Sequence, residues 1–538
     1  MINMRIANIS SSRRELILLS VICAVLYAPF AGKPLHIDGP VTVHIARQLT
    51  KNLIDPPLGE FGRLLSRWNK TQLPQHSAFH ATPHPPLVPL YLAPFIAVFG
   101  VHELMLGWLM FPFYLGSVVC MFGIGRIFRM RGGMWPALLF AVAPVVYVNA
   151  HNCMLDLPLT FFTMACFYFQ LRNRSRFDPL LAGLCAACAC LTKFTGVSLL
   201  ASGTLYFLLT RRFQALVLFV APVILLGGLW TVHNLIVWGQ VQMISTGHAH
   251  YLWGDIRYRF ERLVAYFGGA LVIPALPLIA GIVQSRYRGW IGGFGCAAFG
   301  WSLLLVVSLH YPVAVAVFYA LCATSGLFLL WLIIRNAFDW RNNAGLASIA
   351  VHTLLQVIGG LFLTLYATRY MLPFTFAGIL AIGLLLRHKS FILPGRKIIQ
   401  IAFVLSLMIS LPLALSDYQI ASAEKRIARD ISELSISGEV FYAGRLGYLY
   451  YMHQAGFTNA EFTKEVTSGD YFVKNMFYDD DADAHAGISH LLTRRKSFLY
   501  DIVALTTLGG YAGFYGNDRV PYWIVPQHAY RFVLYRCQ

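Results

Sequence analysis

Apolar runs of the length needed to cross a bilayer, roughly 17–25 residues, recur from Glu15 to Ser416, separated by short loops carrying Arg, Lys, Gly and Pro. In hydrocarbon every backbone amide has to be satisfied within the protein, so such a chain is confined to a bundle of helices. The recurrence excludes a single anchor on a soluble domain. Composition agrees: 57% of the 538 residues are hydrophobic, 12% are charged and the mean hydropathy is +0.60, too apolar for a surface facing water on all sides. The net charge of +18 does not point to nucleic acid, because the Arg and Lys residues sit largely in the short loops, where they set topology.

The first apolar run, Leu16 to Phe30, follows Arg13 and Arg14 as a signal peptide would, but no small-residue cleavage site follows it. It reads as an uncleaved first helix. Eight of the ten cysteines lie in apolar runs, including Cys185, Cys188 and Cys190, and read as small packing residues. Cys153 and Cys537 are the two expected to face water, so the sequence supports no disulfide framework.

Hydrophobicity places helices near residues 15–32, 103–128, 134–150, 155–171, 179–193, 195–210, 213–237, 262–283, 290–309, 313–334, 344–367, 370–386 and 398–416, about thirteen in all. The run Pro86–Gly100 is too short to cross and begins at a pair of prolines. If it crossed, Arg126, Arg129 and Arg131 would lie opposite Arg5, Arg13 and Arg14. If it re-enters or lies in the interface, the basic loops fall on one side, which predicts a cytoplasmic amino terminus. The chain then divides into a transmembrane domain, residues 1–416, with a large first outer loop at 33–102, and a small mixed α/β domain outside the membrane, residues 417–538. Asp479, Asp480, Asp481 and Asp483 in that tail read as a solvated acidic loop. No internal repeat is evident by eye.

On this topology three polar features return to the outer face, and each is costly beside lipid unless paired or hydrated. The first is His36-Ile37-Asp38-Gly39-Pro40, whose carboxylate can take a proton from an attacking hydroxyl or can simply cap the following helix. The second is Met154-Leu155-Asp156-Leu157-Pro158, with the same two readings. The third is Leu191-Thr192-Lys193, a cation able to snorkel to headgroups or to neutralise a lipid phosphate. Arg369, in Arg369-Tyr370-Met371-Leu372-Pro373, offers a second cation. His248 and His250 are weak metal candidates, since one His-x-His supplies too few ligands.

The order of Asp38, His84-Pro85-Pro86-Leu87, the Asp156 motif, the Lys193 motif and the Arg369 motif resembles the C-type glycosyltransferase superfamily. It is similar above all to the bacterial branch that includes lipid A aminoarabinose transferases and to relatives of the dolichyl-phosphate-mannose protein mannosyltransferases. The resemblance spans residues 38–373.

The resemblance implies a sugar donor linked to a polyprenyl phosphate, a lipid, glycan or protein acceptor, and transfer with inversion on the outer face of a bacterial inner membrane. Asp38 would be the base, Asp156 a second catalytic carboxylate, and Lys193, Arg369 and His84 the donor-phosphate contacts. It implies no obligatory cofactor, though a divalent metal is compatible, and no nucleic acid partner. Two departures stand out: many relatives carry an acidic pair where this chain has Asp38-Gly39, and aminoarabinose transferases often carry Lys where this chain has His84, which points away from aminoarabinose as the sugar. A transporter or flippase is the rival reading, but it calls for charges near the bilayer midplane and related halves.

Overall fold

The computed structural model describes residues 2–69, 77–130, 133–242, 256–271, 296–297, 299–304, 312–338, 343–362, 367–386, 395–444, 446–460, 466–476, 492–509, 511–516, 518, 520–525 and 529–538. The protein is mostly helical, with a small β region at the carboxyl end. Among the described residues six helices are long and apolar enough to cross a membrane: Glu103–Ile127, Phe213–Trp238, Val313–Ala337, Ala344–Leu361, Thr368–Leu385 and Gly395–Ser432. Shorter apolar helices cover Leu87–Phe99, Asp178–Thr192 and Phe194–Leu209. The expected crossing at 290–309 falls mostly outside the described residues, as do His248, His250 and the acidic run from Asp479.

The amino-terminal helix α1 (Ile2–Tyr27) leads into the first long connection, where α2 (Gly39–Leu49), α3 (Gly59–Asn69) and α4 (Leu87–Phe99) follow. With 13 residues, α4 is about 20 Å long, short of the hydrocarbon thickness, as expected for the run at 86–100. Helix α5 is Glu103–Ile127. The expected helix at 134–150 is two: α6 (Trp135–Ala141) and α7 (Pro144–Ala150), because Pro144 lacks an amide hydrogen and disfavours helix in the residue before it. Tyr27 at the end of α1 donates to the Ala150 carbonyl at 3.1 Å, and Tyr147 donates to Leu26 at 2.6 Å, which ties the carboxyl end of α1 to α7.

Next come α8 (Asp156–Arg172), α9 (Asp178–Thr192), α10 (Ser198–Leu209), α11 (Phe213–Trp238), α12 (Ile256–Ala270), α13 (Val313–Ala337), α14 (Ala344–Leu361), α15 (Thr375–Leu385) and α16 (Gly395–Ser432). Lipid tails are as apolar as the helices, so association depends on close backbone approach. At the α12–α13 crossing a Cβ on Gly268 would lie 1.9 Å from the Cys322 carbonyl oxygen, and one on Gly326 would lie 1.9 Å from that of Val264. Only glycine fits at either position.

Helix α16 continues well past Ser416, with Ile420, Ala423, Ile427 and Ile431 buried on one face. Helix α17 (Leu446–Gln454) and a five-stranded sheet pack beyond it. In that sheet β1 (Val440–Tyr442) is parallel to β2 (Thr458–Asn459) and to β3 (Tyr471–Asn475), and β7 (Ala529–Cys537) runs antiparallel between β3 and β4 (Leu492–Asp501). A two-stranded ribbon pairs β5 (Leu505–Thr506) with β6 (Trp523–Ile524). All ten cysteines are free; Cys153 and Cys537, expected to face water, are instead both buried within hydrophobic clusters.

Candidate active site

Asp38 stands at the start of α2 and Asp156 at the start of α8, yet neither carboxylate caps its helix. Each is turned instead toward a cation from another element. The Asp38 carboxylate meets the Arg369 guanidinium at 2.7 Å, and Asp156 accepts from the Lys193 ammonium at 2.9 Å. The two pairs differ in depth. Lys193 and Asp156 are only 12% and 5% exposed, whereas Asp38 is 45% exposed beside an Arg369 that is 4% exposed. One carboxylate therefore faces solvent with a buried cation behind it, and the other is enclosed with its partner.

Local structure explains how Lys193 reaches inward. Helix α9 ends at Thr192, Lys193 is extended (φ −155°, ψ 136°), and the turn Phe194–Val197 brings the chain back toward the helix it has just left. That return requires Gly196, where a Cβ would lie 2.5 Å from the Ala189 carbonyl carbon. Arg369 sits in the 3₁₀ turn Thr368–Phe374, with its Nη1 3.2 Å from the Met154 sulfur. Its Nε has no hydrogen-bond partner among the described residues.

Tyr370, which the sequence reading left without a role, lies between the two cations. The Lys193 ammonium is 4.4 Å and the Arg369 guanidinium 5.2 Å from its ring centre. The negative face of the ring offsets part of the repulsion between two positive groups aimed at one place.

His84 completes the cluster. Gln242 donates to the carbonyls of Thr82 and His84 at 3.3 Å each, fixing the turn before α4. Burial pushes the imidazole down to about 3, with Lys193 and Arg369 acting the same way and Asp38 and Asp156 opposing them. The ring is neutral near pH 7, and it senses all four other predicted residues. The five residues taken from separate stretches of sequence thus converge on one place.

A cavity of about 610 Å³ opens there. Its polar mouth is formed by His84, Asp156, Lys193 and Tyr370, and its wall is almost wholly apolar, running between α10 and α14 past Val197, Leu355 and Gly359. An anionic head and an apolar tail on one ligand would match the two ends. Among the described residues no group of three or more His, Cys, Asp or Glu side chains is placed to hold a metal ion.

Residues 83–238 match the family described as dolichyl-phosphate-mannose-protein mannosyltransferase. No curated protein sequence matches the chain significantly. Among solved structures, the apo oligosaccharyltransferase of Archaeoglobus fulgidus superposes with a TM-score of 0.50 at 11% identity, over 86% of this chain and 69% of that one. ArnT from Cupriavidus metallidurans bound to undecaprenyl phosphate gives 0.44 at 16% identity, over 96% and 97%. The mycobacterial arabinofuranosyltransferase AftD gives 0.41 at 12% identity, over 98% and 40%. Residues 83–238 therefore resemble the mannosyltransferase family, and the chain shares the fold of the oligosaccharyltransferase.

Proposed function

We propose that this protein transfers a sugar from a polyprenyl-phosphate carrier to an acceptor hydroxyl on the outer face of the membrane, with inversion at the sugar. The observation that carries this reading is the Lys193–Asp156 pair at the mouth of an apolar cavity, with the Arg369–Asp38 pair beside it across Tyr370. The matched family, described by a dolichyl-phosphate-linked donor, supports the same donor class.

In this reading the carrier's isoprenoid chain lies in the groove between α10 and α14, and its phosphate meets Lys193, Arg369 and His84. The acceptor approaches from solvent, where Asp38 is exposed. A bond forms from the acceptor oxygen to the anomeric carbon as the bond to the phosphate oxygen breaks, and the hydroxyl proton passes to Asp38. Charge developing on the departing phosphate is met by fixed cations in a medium that screens them poorly. Asp156, bound to Lys193, holds that ammonium in place, and its charge also favours an oxocarbenium-like sugar centre. Around this site we infer about thirteen crossings, with the amino terminus cytoplasmic and residues 417–538 outside.

The test is donor binding. Purified protein in nanodiscs should bind radiolabelled undecaprenyl phosphate, and a double variant, Lys193→Met with Arg369→Gln, should bind it at least about tenfold less tightly, as two charge-assisted contacts imply. Equal binding by both proteins would remove the basis for a phosphate-linked donor.

A further inference from the structure

The site described above does not use a second set of buried charged groups, and that set joins the outer loop to the carboxyl-terminal region. Lys33 forms an ion pair with Asp417 on the outer part of α16 and donates to the Asn152 side chain at 2.5 Å. His36 lies 3.6 Å from Asp417 and 3.2 Å from Glu424, about two helical turns further along α16. Thr507 and Tyr515 donate to Asp417 at 2.8 and 2.9 Å, and Tyr515 accepts from Asn152 at 2.7 Å. Every one of these side chains belongs to a residue that is buried.

Three features connect this cluster to the reacting groups. First, Ile37 has φ +50°, a left-handed conformation that a β-branched residue adopts only when its surroundings impose it. It stands between clamped His36 and Asp38, and the reversal it makes starts α2 with the Asp38 carboxylate on Arg369. Second, the backbone of the Tyr515 segment pairs with that of Arg369: Thr368 N–H donates to Gly513 at 3.0 Å and Arg369 N–H to Phe514 at 3.3 Å. Third, the Tyr515 ring lies between the two halves of the site, with the Arg369 guanidinium 5.9 Å and the His36 ring 5.6 Å from its centre.

We infer that Asp417 and Tyr515 are positioning residues: from the carboxyl-terminal region they hold the strained 36–38 turn and Arg369 together, so that Asp38 is presented in its reactive place. This rests on the transferase reading of the Asp38 site. An unpaired Lys33 or Asp417 in so closed a place would disturb folding, so the informative change is the small one, Tyr515→Phe, which removes a hydroxyl and keeps the ring.

A control exists on the same helix. Tyr500 donates to Asp430 of α16 at 2.7 Å, about 20 Å further out than Asp417. In the full-length protein, Tyr515→Phe should lower kcat for sugar transfer about ten- to a hundredfold, with donor KM within about twofold, as displacement of a reacting group implies. Hydrogen exchange of the amides of residues 36–42 should rise in the same variant. Tyr500→Phe, which removes a tyrosine–aspartate hydrogen bond from the same helix, should leave both unchanged. Wild-type kcat in Tyr515→Phe, or an equal kcat loss in both variants, would overturn the inference. If the wild type transfers no sugar, the transferase reading fails on its own; exchange at 36–42 still decides the clamp, and its being unchanged in Tyr515→Phe would refute it.

Discussion

Replacing Lys193 with Met keeps the side-chain length and the packing on Tyr370 and removes one charge from a closed site. At 2.9 Å and an effective dielectric constant of about 20, the ammonium and the Asp156 carboxylate attract by about 6 kcal/mol. Desolvation of two groups that are 12% and 5% exposed cancels much of that attraction, so the pair itself adds little net stability. Breaking it is another matter. Lys193→Met strands the less exposed partner, which should cost about 3–5 kcal/mol. Asp156→Asn should cost less, about 1–2 kcal/mol, because the amide oxygen still accepts a hydrogen bond and the long Lys stem can reach toward water. The double variant should be no worse than Lys193→Met alone, which corresponds to a coupling of at least about 1–2 kcal/mol. Unfolding of the four proteins by sodium dodecyl sulfate titration in mixed micelles gives each value. Additivity within about 0.5 kcal/mol would refute the claim that these two charges depend on each other.

Other consequences follow from the same geometry. A side chain at Gly359 would enter open space on the groove wall, so Gly359→Phe should fold normally and raise the donor KM about tenfold or more, measured with purified protein and lipid-linked sugar. His84 has its pKa pushed below the ordinary histidine value, to about 3, so it stays neutral as pH falls from 8 to 5. The unfolded chain binds the proton near pH 6.5, so the stability owed to a neutral His84 is whole above that pH and is lost as pH falls toward 3. His84→Gln should therefore flatten part of the acid limb of a stability profile and change donor affinity by one factor at pH 5.5 and pH 8; a factor that differs tenfold between them would contradict a neutral ring. Gly268→Val should prevent stable assembly of the α12–α13 pair, a loss of about 3 kcal/mol or more read from detergent-melting curves, since its Cβ would meet backbone at 1.9 Å.

Much of the site was legible because charge near lipid is conspicuous. Asp38, Asp156, Lys193 and Arg369 each stand at the end of an apolar run, and sidedness of the basic loops was enough to bring them to one face. Which carboxylate would pair with which cation was not legible, since Asp38 and Arg369 are separated by most of the chain. Nor was the failure of both aspartates as helix caps, which depends on side-chain direction. The break at Val142 and Ala143 had a visible cause in Pro144, outweighed in the reading by continuous hydrophobicity.

The change of composition at Ser416 hid the continuation of α16, although Ile420, Ala423, Ile427 and Ile431 repeat with helical spacing. Lys33, Asp417 and Tyr515 carried no local pattern at all. Their meaning comes from long-range burial, which no window of sequence contains.

The most direct measurement of the central claim compares wild type with Asp38→Asn in nanodiscs, using a panel of radiolabelled polyprenyl-phosphate sugars and host membrane extract as acceptor. Label should move to an acceptor with the wild type, and Asp38→Asn should bind the same donor while its transfer rate falls about 10²–10⁴-fold, the share a positioned general base supplies. Undiminished transfer by Asp38→Asn would contradict Asp38 as the base, and absence of any donor consumption by the wild type would contradict the transferase itself.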